Sequence, residues 1–204
     1  MPFRSGRRRQ GFTLMELLLV IAIIAILAGL GVSGYQFANI YAAKSKTKAQ
    51  MASLKLALEE YHKLHGEYPK PATERASDAA TEWLGGTEYK IGGAQVLYQA
   101  LSADGSDKLD LGSASTAASD GEIDETEEEN LVMKELDPQS DTTGMVKVYQ
   151  GDWVLIDGFG NPWQYRHGSE SGAINKGTYD LWSFGDAEDA SSGEASDIHW
   201  IRNW

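Results

Sequence analysis

Between Phe12 and Val32 the chain carries 21 residues with a single charge, Glu16, and this segment constrains what the rest can fold into. As a helix it would reach roughly 31 Å, about the thickness of a bilayer's hydrocarbon core. Arg4, Arg7, Arg8 and Arg9 stand directly ahead of it, as a basic leader stands before a membrane segment. A secretory signal needs a small-residue cleavage site after the apolar run. Here Gly29-Leu30-Gly31-Val32-Ser33-Gly34 leads straight into another helix-like stretch, so the span reads equally well as retained. Bases before it and acids after it place the N-terminus in the cytoplasm and export the body of the chain. Glu16 is the anomaly, because a carboxylate in an apolar span costs about 2.5–3.5 kcal/mol on insertion scales. Snorkelling to the interface and pairing with a partner charge both remain open for it.

From Tyr35 to Leu64 there is no proline, and Met51, Leu54, Leu58, Tyr61 and His65 recur at spacings of three and four, the pattern of an amphipathic helix. It continues the apolar span to about His65, with Gly66 and Pro69 as its stop. Lys44, Lys46, Lys48, Lys55 and Lys63 form its polar face, either a solvated surface or a contact for acidic loops of neighbouring subunits. Gly29, Gly31 and Gly34 each weaken helix by about 1 kcal/mol relative to alanine. They fit either a loosened segment or close packing between membrane helices.

The remaining composition narrows the function. The 204 residues are 42% hydrophobic and carry a formal charge of −12, with no basic stripe in the C-terminal two-thirds, which argues against a nucleic-acid partner. The absence of cysteine excludes disulfides, thiolate metal sites and thiol nucleophiles. Between Pro71 and Gln99 the pattern suggests helix at Ala79 to Leu84 and at Ala94 to Leu101, with turns at Gly85-Gly86 and Gly92-Gly93. Asp104 to Asp141 holds 13 acids against Lys108 and Lys134 and reads as a solvated acidic insertion without EF-hand spacing. Strand signals follow at Met145 to Gln150, Trp153 to Ile156, Trp163 to Arg166 and Thr178 to Phe184. The fold class is therefore α+β, a long N-terminal helix with a small C-terminal antiparallel sheet head.

Gly11-Phe12-Thr13-Leu14-Met15-Glu16, after the basic leader and before Leu17-Leu18-Leu19-Val20-Ile21, resembles the class III signal of type IV pilins and type II secretion pseudopilins. The resemblance implies that a prepilin peptidase cuts between Gly11 and Phe12 and that Phe12 is then N-methylated. It also implies that Glu16 pairs with the N-terminal amine of a neighbouring subunit, which would neutralise both charges in a filament core. The chain divides accordingly into a leader (1–11), a long helix that spans the membrane in its first half (12–66) and a globular head (67–204) with its acidic insertion at about 104–141. The implied partners are further copies in a homo-oligomeric filament, the inner-membrane assembly platform and minor pseudopilins; the implied place is the inner membrane, crossed once, with head and filament in the periplasm.

Asp157-Gly158-Phe159-Gly160-Asn161-Pro162-Trp163-Gln164-Tyr165 and Tyr179-Asp180-Leu181-Trp182-Ser183-Phe184-Gly185 resemble a turn and strand of the major pseudopilin of type II secretion. In those relatives the next loop binds calcium where many pilins use a disulfide. The resemblance points to Asp186, Asp189 and Asp197 as side-chain ligands and to the Phe184 carbonyl as a further one. An acidic Ser/Gly loop without metal is the other reading, since Asp186 stands where the relatives carry proline and Ala187 where they carry aspartate. His62 and His65 read as helix-surface residues rather than a metal pair. No nucleophile elbow, phosphate loop or zinc helix is present, so the chain is expected to be a structural subunit and not an enzyme. A type II pseudopilin is favoured over a type IV pilin. A bitopic membrane protein with a calcium-responsive acidic head is a second alternative.

Overall fold

The computed structural model describes residues 13–70, 81–84, 87–105, 119–137, 143–149, 151–186 and 200–204, with the backbone alone for 30–34, 81–84, 87–90 and 152. Helix α1 runs Leu14–His65 and includes the three glycines. It ends where expected: Gly66 takes a left-handed backbone (φ 79°), its N–H donates to the His62 carbonyl at 2.8 Å, and Pro69 follows. The chain forms two compact units, Met1–Tyr41 and Ala42–Trp204.

In the first unit the apolar side chains of α1 face outward on every side: Leu14, Met15, Leu17, Leu18, Leu19, Ile23, Ile24 and Leu27 are all exposed. A helix that is apolar all round needs cover from lipid or from other protein. Among the described residues no helix is long and apolar enough to cross a membrane, the described side chains of this run stopping at Gly29.

In the second unit α1 has one buried stripe, Thr47, Gln50, Met51, Leu54, Ala57 and Leu58, as the spacing anticipates. Tyr61 is half-buried at its edge and His65 is exposed, its ring lying 4.2 Å from that of Tyr61, so the buried stripe is shorter than the periodicity suggests. Helix α2 (Gly92–Ser102) agrees with the helix expected at 94–101 and also takes in Gly92-Gly93, which were expected as a turn. Its Val96, Leu97, Tyr98 and Leu101 join Leu54, Leu58, Trp163, Tyr165, Tyr179 and Leu181 in one core.

The strands pair as three small antiparallel sheets rather than one. β1 (Thr81–Leu84) pairs with β2 (Thr87–Lys90), and β3 (Val146–Tyr149) pairs with β4 (Asp152–Leu155). β6 (Tyr179–Ser183) lies between β5 (Gln164–His167) and β7 (Ile201–Arg202). Two expectations are corrected. The helix expected at 79–84 is strand over 81–84, because Thr81-Glu82-Trp83-Leu84 and Thr87-Glu88-Tyr89-Lys90 flank a Gly-Gly pair and register as a hairpin, Leu84 opposite Thr87. The acidic insertion is not wholly solvated. Asp104 is fully buried, accepting from the Tyr98 hydroxyl at 2.6 Å and from the Asp120 and Gly121 amides at 3.0 Å each. Glu127, 8% exposed, accepts from Gly105 and Asp124. Burial pushes both carboxyls up, and it pushes the Tyr98 hydroxyl up as well, with Asp104 adding to that shift.

Candidate functional site

The start of α1 is built by Thr13 and Glu16. The Glu16 carboxylate accepts from the Thr13 backbone N–H and from its hydroxyl, both at 2.9 Å, while the Glu16 N–H donates to the Thr13 hydroxyl oxygen at 3.2 Å. This is a capping box, in which the first-turn acid and the cap residue satisfy each other's backbone donors. Thr13 is the functional residue that the sequence reading missed, although Thr-x-x-Glu ahead of an apolar run is its usual signal. Glu16 therefore has a local hydrogen-bonding role in addition to any charge partner. Gly11 and Phe12 lie outside the described residues.

The second feature is a junction in the head. Asp157 opens the turn between β4 and β5 and is 2% exposed. Its Oδ1 accepts from the Phe159 and Asn161 amides at 2.8 and 2.9 Å, and its Oδ2 accepts from the Ser183 hydroxyl at 2.5 Å. Burial pushes the Asp157 carboxyl above the usual carboxylate range, against those hydrogen bonds, which favour the ionised form. The Gly158 amide donates to Thr47 Oγ1 on α1 at 3.0 Å. A Cβ at Gly158 would stand 2.4 Å from the Ala43 carbonyl oxygen and 2.8 Å from Thr47 Oγ1, so only glycine lets the turn sit on the helix. Asn161 Nδ2 donates to the Gly185 carbonyl at 3.0 Å, and the Gly185 amide donates to Ser183 Oγ at 2.9 Å. One turn thus ties α1 to the end of β6.

At that end the chain leaves through Phe184, Gly185 and Asp186 and returns at Trp200, whose ring meets Phe184 edge-on at 5.0 Å. β7 pairs with β6, Ser183 opposite Ile201, so backbone hydrogen bonds hold the two ends of the intervening loop together. The Phe184 carbonyl and the Asp186 carboxylate supply at most three of the six to eight oxygens that calcium takes. Asp189 and Asp197 lie outside the described residues, and among the described residues no group of three acids or histidines could hold a metal ion. The buried groups lacking a partner near this end are donors, the Trp182 and Trp200 indole N–H groups, which call for acceptors rather than for a cation.

Residues 6–32 match the family model of the prokaryotic N-terminal methylation motif. The chain is 36% identical over 77 residues to a fimbrial protein of Neisseria meningitidis, covering 38% of this chain and 45% of that protein. It is 34% identical over 89 residues to the type IV major pilin protein PilE1 of Neisseria gonorrhoeae, covering 41% of this chain and 54% of the pilin. It is 36% identical over 66 residues to the type II secretion system core protein G of Pectobacterium carotovorum, covering 32% and 42%. The chain thus spans about half the length of the curated relatives it matches. No solved structure matches it. With its methylation motif, its long N-terminal helix, its small antiparallel sheets and these partial matches, the chain is similar to type IV pilins and type II secretion pseudopilins.

Proposed function

We propose that the chain is a structural subunit of a type II secretion pseudopilus. It is inserted in the inner membrane with its N-terminus in the cytoplasm, cut between Gly11 and Phe12 by a prepilin peptidase and methylated on Phe12. An inner-membrane assembly platform, with minor pseudopilins, then builds it into a periplasmic homo-oligomeric filament. The observation that carries this reading is the stretch of α1 whose apolar side chains are exposed all round beside one carboxylate and the methylation motif. Lipid covers such a helix before assembly, and neighbouring helices cover it afterwards. The Asp157 turn, the β6 strand and the cysteine-free chain favour a pseudopilus, whereas the fimbrial relatives favour a type IV pilus. Deleting the gene in its host should strand secreted proteins in the periplasm and leave surface fibres in place. Loss of surface fibres with secretion intact would assign the subunit to a pilus.

Calcium binding by the loop that starts at Phe184 belongs to the same proposal, with Asp186, Asp189, Asp197 and the Phe184 carbonyl as ligands. A metal held only by the folded head raises stability by about 2.7 kcal/mol at a hundredfold excess over Kd. The detergent-solubilised chain should melt several degrees higher in millimolar calcium than in chelator, and Asp197→Ala should shrink the difference. Coincident melting curves would dismiss the metal.

A further inference from the structure

The sheet β5–β6–β7 turns Tyr165, Leu181 and Ile201 into the core; on its other face Gln164 and Asp180 are buried, Asp180 standing opposite Arg166 with its oxygens taken by the Ile174 and Asn175 amides. Gln164 stands opposite Trp182, and Trp182 opposite Arg202, so these three share a face. Arg166, two residues further along β5, extends that face, and Trp204, just past β7, packs against it. The Arg166 guanidinium lies over the Trp182 ring, 5.5 Å from its centroid, and the Arg202 guanidinium lies over Trp204 at 5.6 Å. The two indoles meet edge-on at 5.7 Å. Arg166 Nη1 also donates to the Gly172 carbonyl at 3.2 Å. Arg202 is exposed, and Arg166, Trp182 and Trp204 are half-buried. Two cations oriented on two tryptophans have the composition that dominates binding energy at protein interfaces.

The chain that carries this face has a net charge of −12, and some of its exposed acids stand together between residues 122 and 129. Glu122, Glu125, Glu128 and Glu129 are exposed, with Lys134 the sole base between residues 119 and 137. The backbone beneath them is pinned by the buried carboxylates of Asp104 and Glu127 through the Gly105, Asp120, Gly121 and Asp124 amides. The ridge is therefore held in shape before any partner arrives, which lowers the ordering cost of docking.

We infer that the Arg166–Trp182–Arg202–Trp204 face of one copy docks on the Glu122–Glu129 ridge of a second copy. The inference rests on the reading of the chain as a filament subunit and names the head contact within it. Face and ridge are different surfaces, so the contact is heterologous, the kind that an extending filament requires. The lysines of α1 are the competing cations. Arginine is the better choice, because its planar guanidinium is already oriented on tryptophan, whereas lysine must first be ordered.

The test uses full-length chains co-expressed in membranes, one carrying Ser171→Cys beside the face and the other Asn130→Cys beside the ridge. The natural chain has no cysteine, so a short bismaleimide reports this pair alone. A cross-linked heterodimer is expected. Arg166→Glu with Arg202→Glu on the first chain should cut it by about tenfold, and adding Glu128→Arg with Glu129→Arg on the second should restore most of it. Protease resistance of each variant verifies that the head is folded. Absence of the cross-link with native charges, or its persistence after reversal, would overturn the contact, as would loss on reversing Lys48, Lys55 and Lys63 but not the arginines. The filament reading is scored separately, by Phe12 methylation and by pelleting of assembled fibres, so either can fail alone.

Discussion

Glu16→Leu should reduce incorporation into filaments by about 100-fold while improving membrane insertion, because it removes a charge whose place in lipid costs about 2.5–3.5 kcal/mol. The capping box lets the observed cap role of this carboxylate be tested apart from the proposed pairing role. Thr13→Ala leaves the charge and the Thr13 backbone N–H bond to it and removes the two bonds of the hydroxyl, a loss typical of a helix cap at about 1 kcal/mol, and should lower assembly only about fivefold. Glu16→Gln keeps an acceptor for the Thr13 donors and removes the charge. On the pairing account Glu16→Gln fails nearly as badly as Glu16→Leu, since an amide cannot neutralise a neighbouring amine. Glutamine filaments at wild-type yield would reduce Glu16 to a cap residue.

The other large effect is expected at the junction in the head. Asp157→Ala strands the Phe159 and Asn161 amides and the Ser183 hydroxyl, at about 1–3 kcal/mol for each buried donor left unpaired. The turn should then release both α1 and the end of β6, with a melting temperature lower by ten degrees or more. Gly158→Ala should cost about 1–3 kcal/mol by overpacking against Ala43 and Thr47. Asp157→Asn is the milder change, and pH tells it apart from the wild type. Burial raises the Asp157 pKa in the fold, so the stability this group contributes is full below its unfolded pKa and is lost as pH rises through the folded value. Asparagine has no such loss, so the variant should gain on the wild type as pH climbs through that window. Melting of the detergent-solubilised chain, followed by the fluorescence of its six tryptophans, reads both effects. A wild-type-like melting temperature for Asp157→Ala would contradict the junction.

What could be read without coordinates is what local pattern dictates. The buried stripe of α1 follows from the spacing of Met51, Leu54 and Leu58, its end from Gly66, and β3 to β6 from short aromatic and β-branched runs between turns. The failures share a cause, which is that the deciding partner is distant in sequence. Asp104 counted as one more solvated acid because nothing local shows that the Asp120 and Gly121 amides fold back onto it. β7 is two residues long and exists only because β6 offers it an edge. The strand at 81–84 needed its neighbour at 87–90 to outweigh a run of good helix formers. Thr13 is the exception: its bonds to Glu16 are local, and the Thr-x-x-Glu spacing that signals them was overlooked.

The central claim, that this is a prepilin processed and assembled through its N-terminus, is tested most directly by the intact mass of the chain extracted from its native membranes. The account predicts a single species lacking Met1 to Gly11 and carrying one extra methyl group on Phe12. A chain that retains Met1, or that is cut beyond Val32, would contradict it.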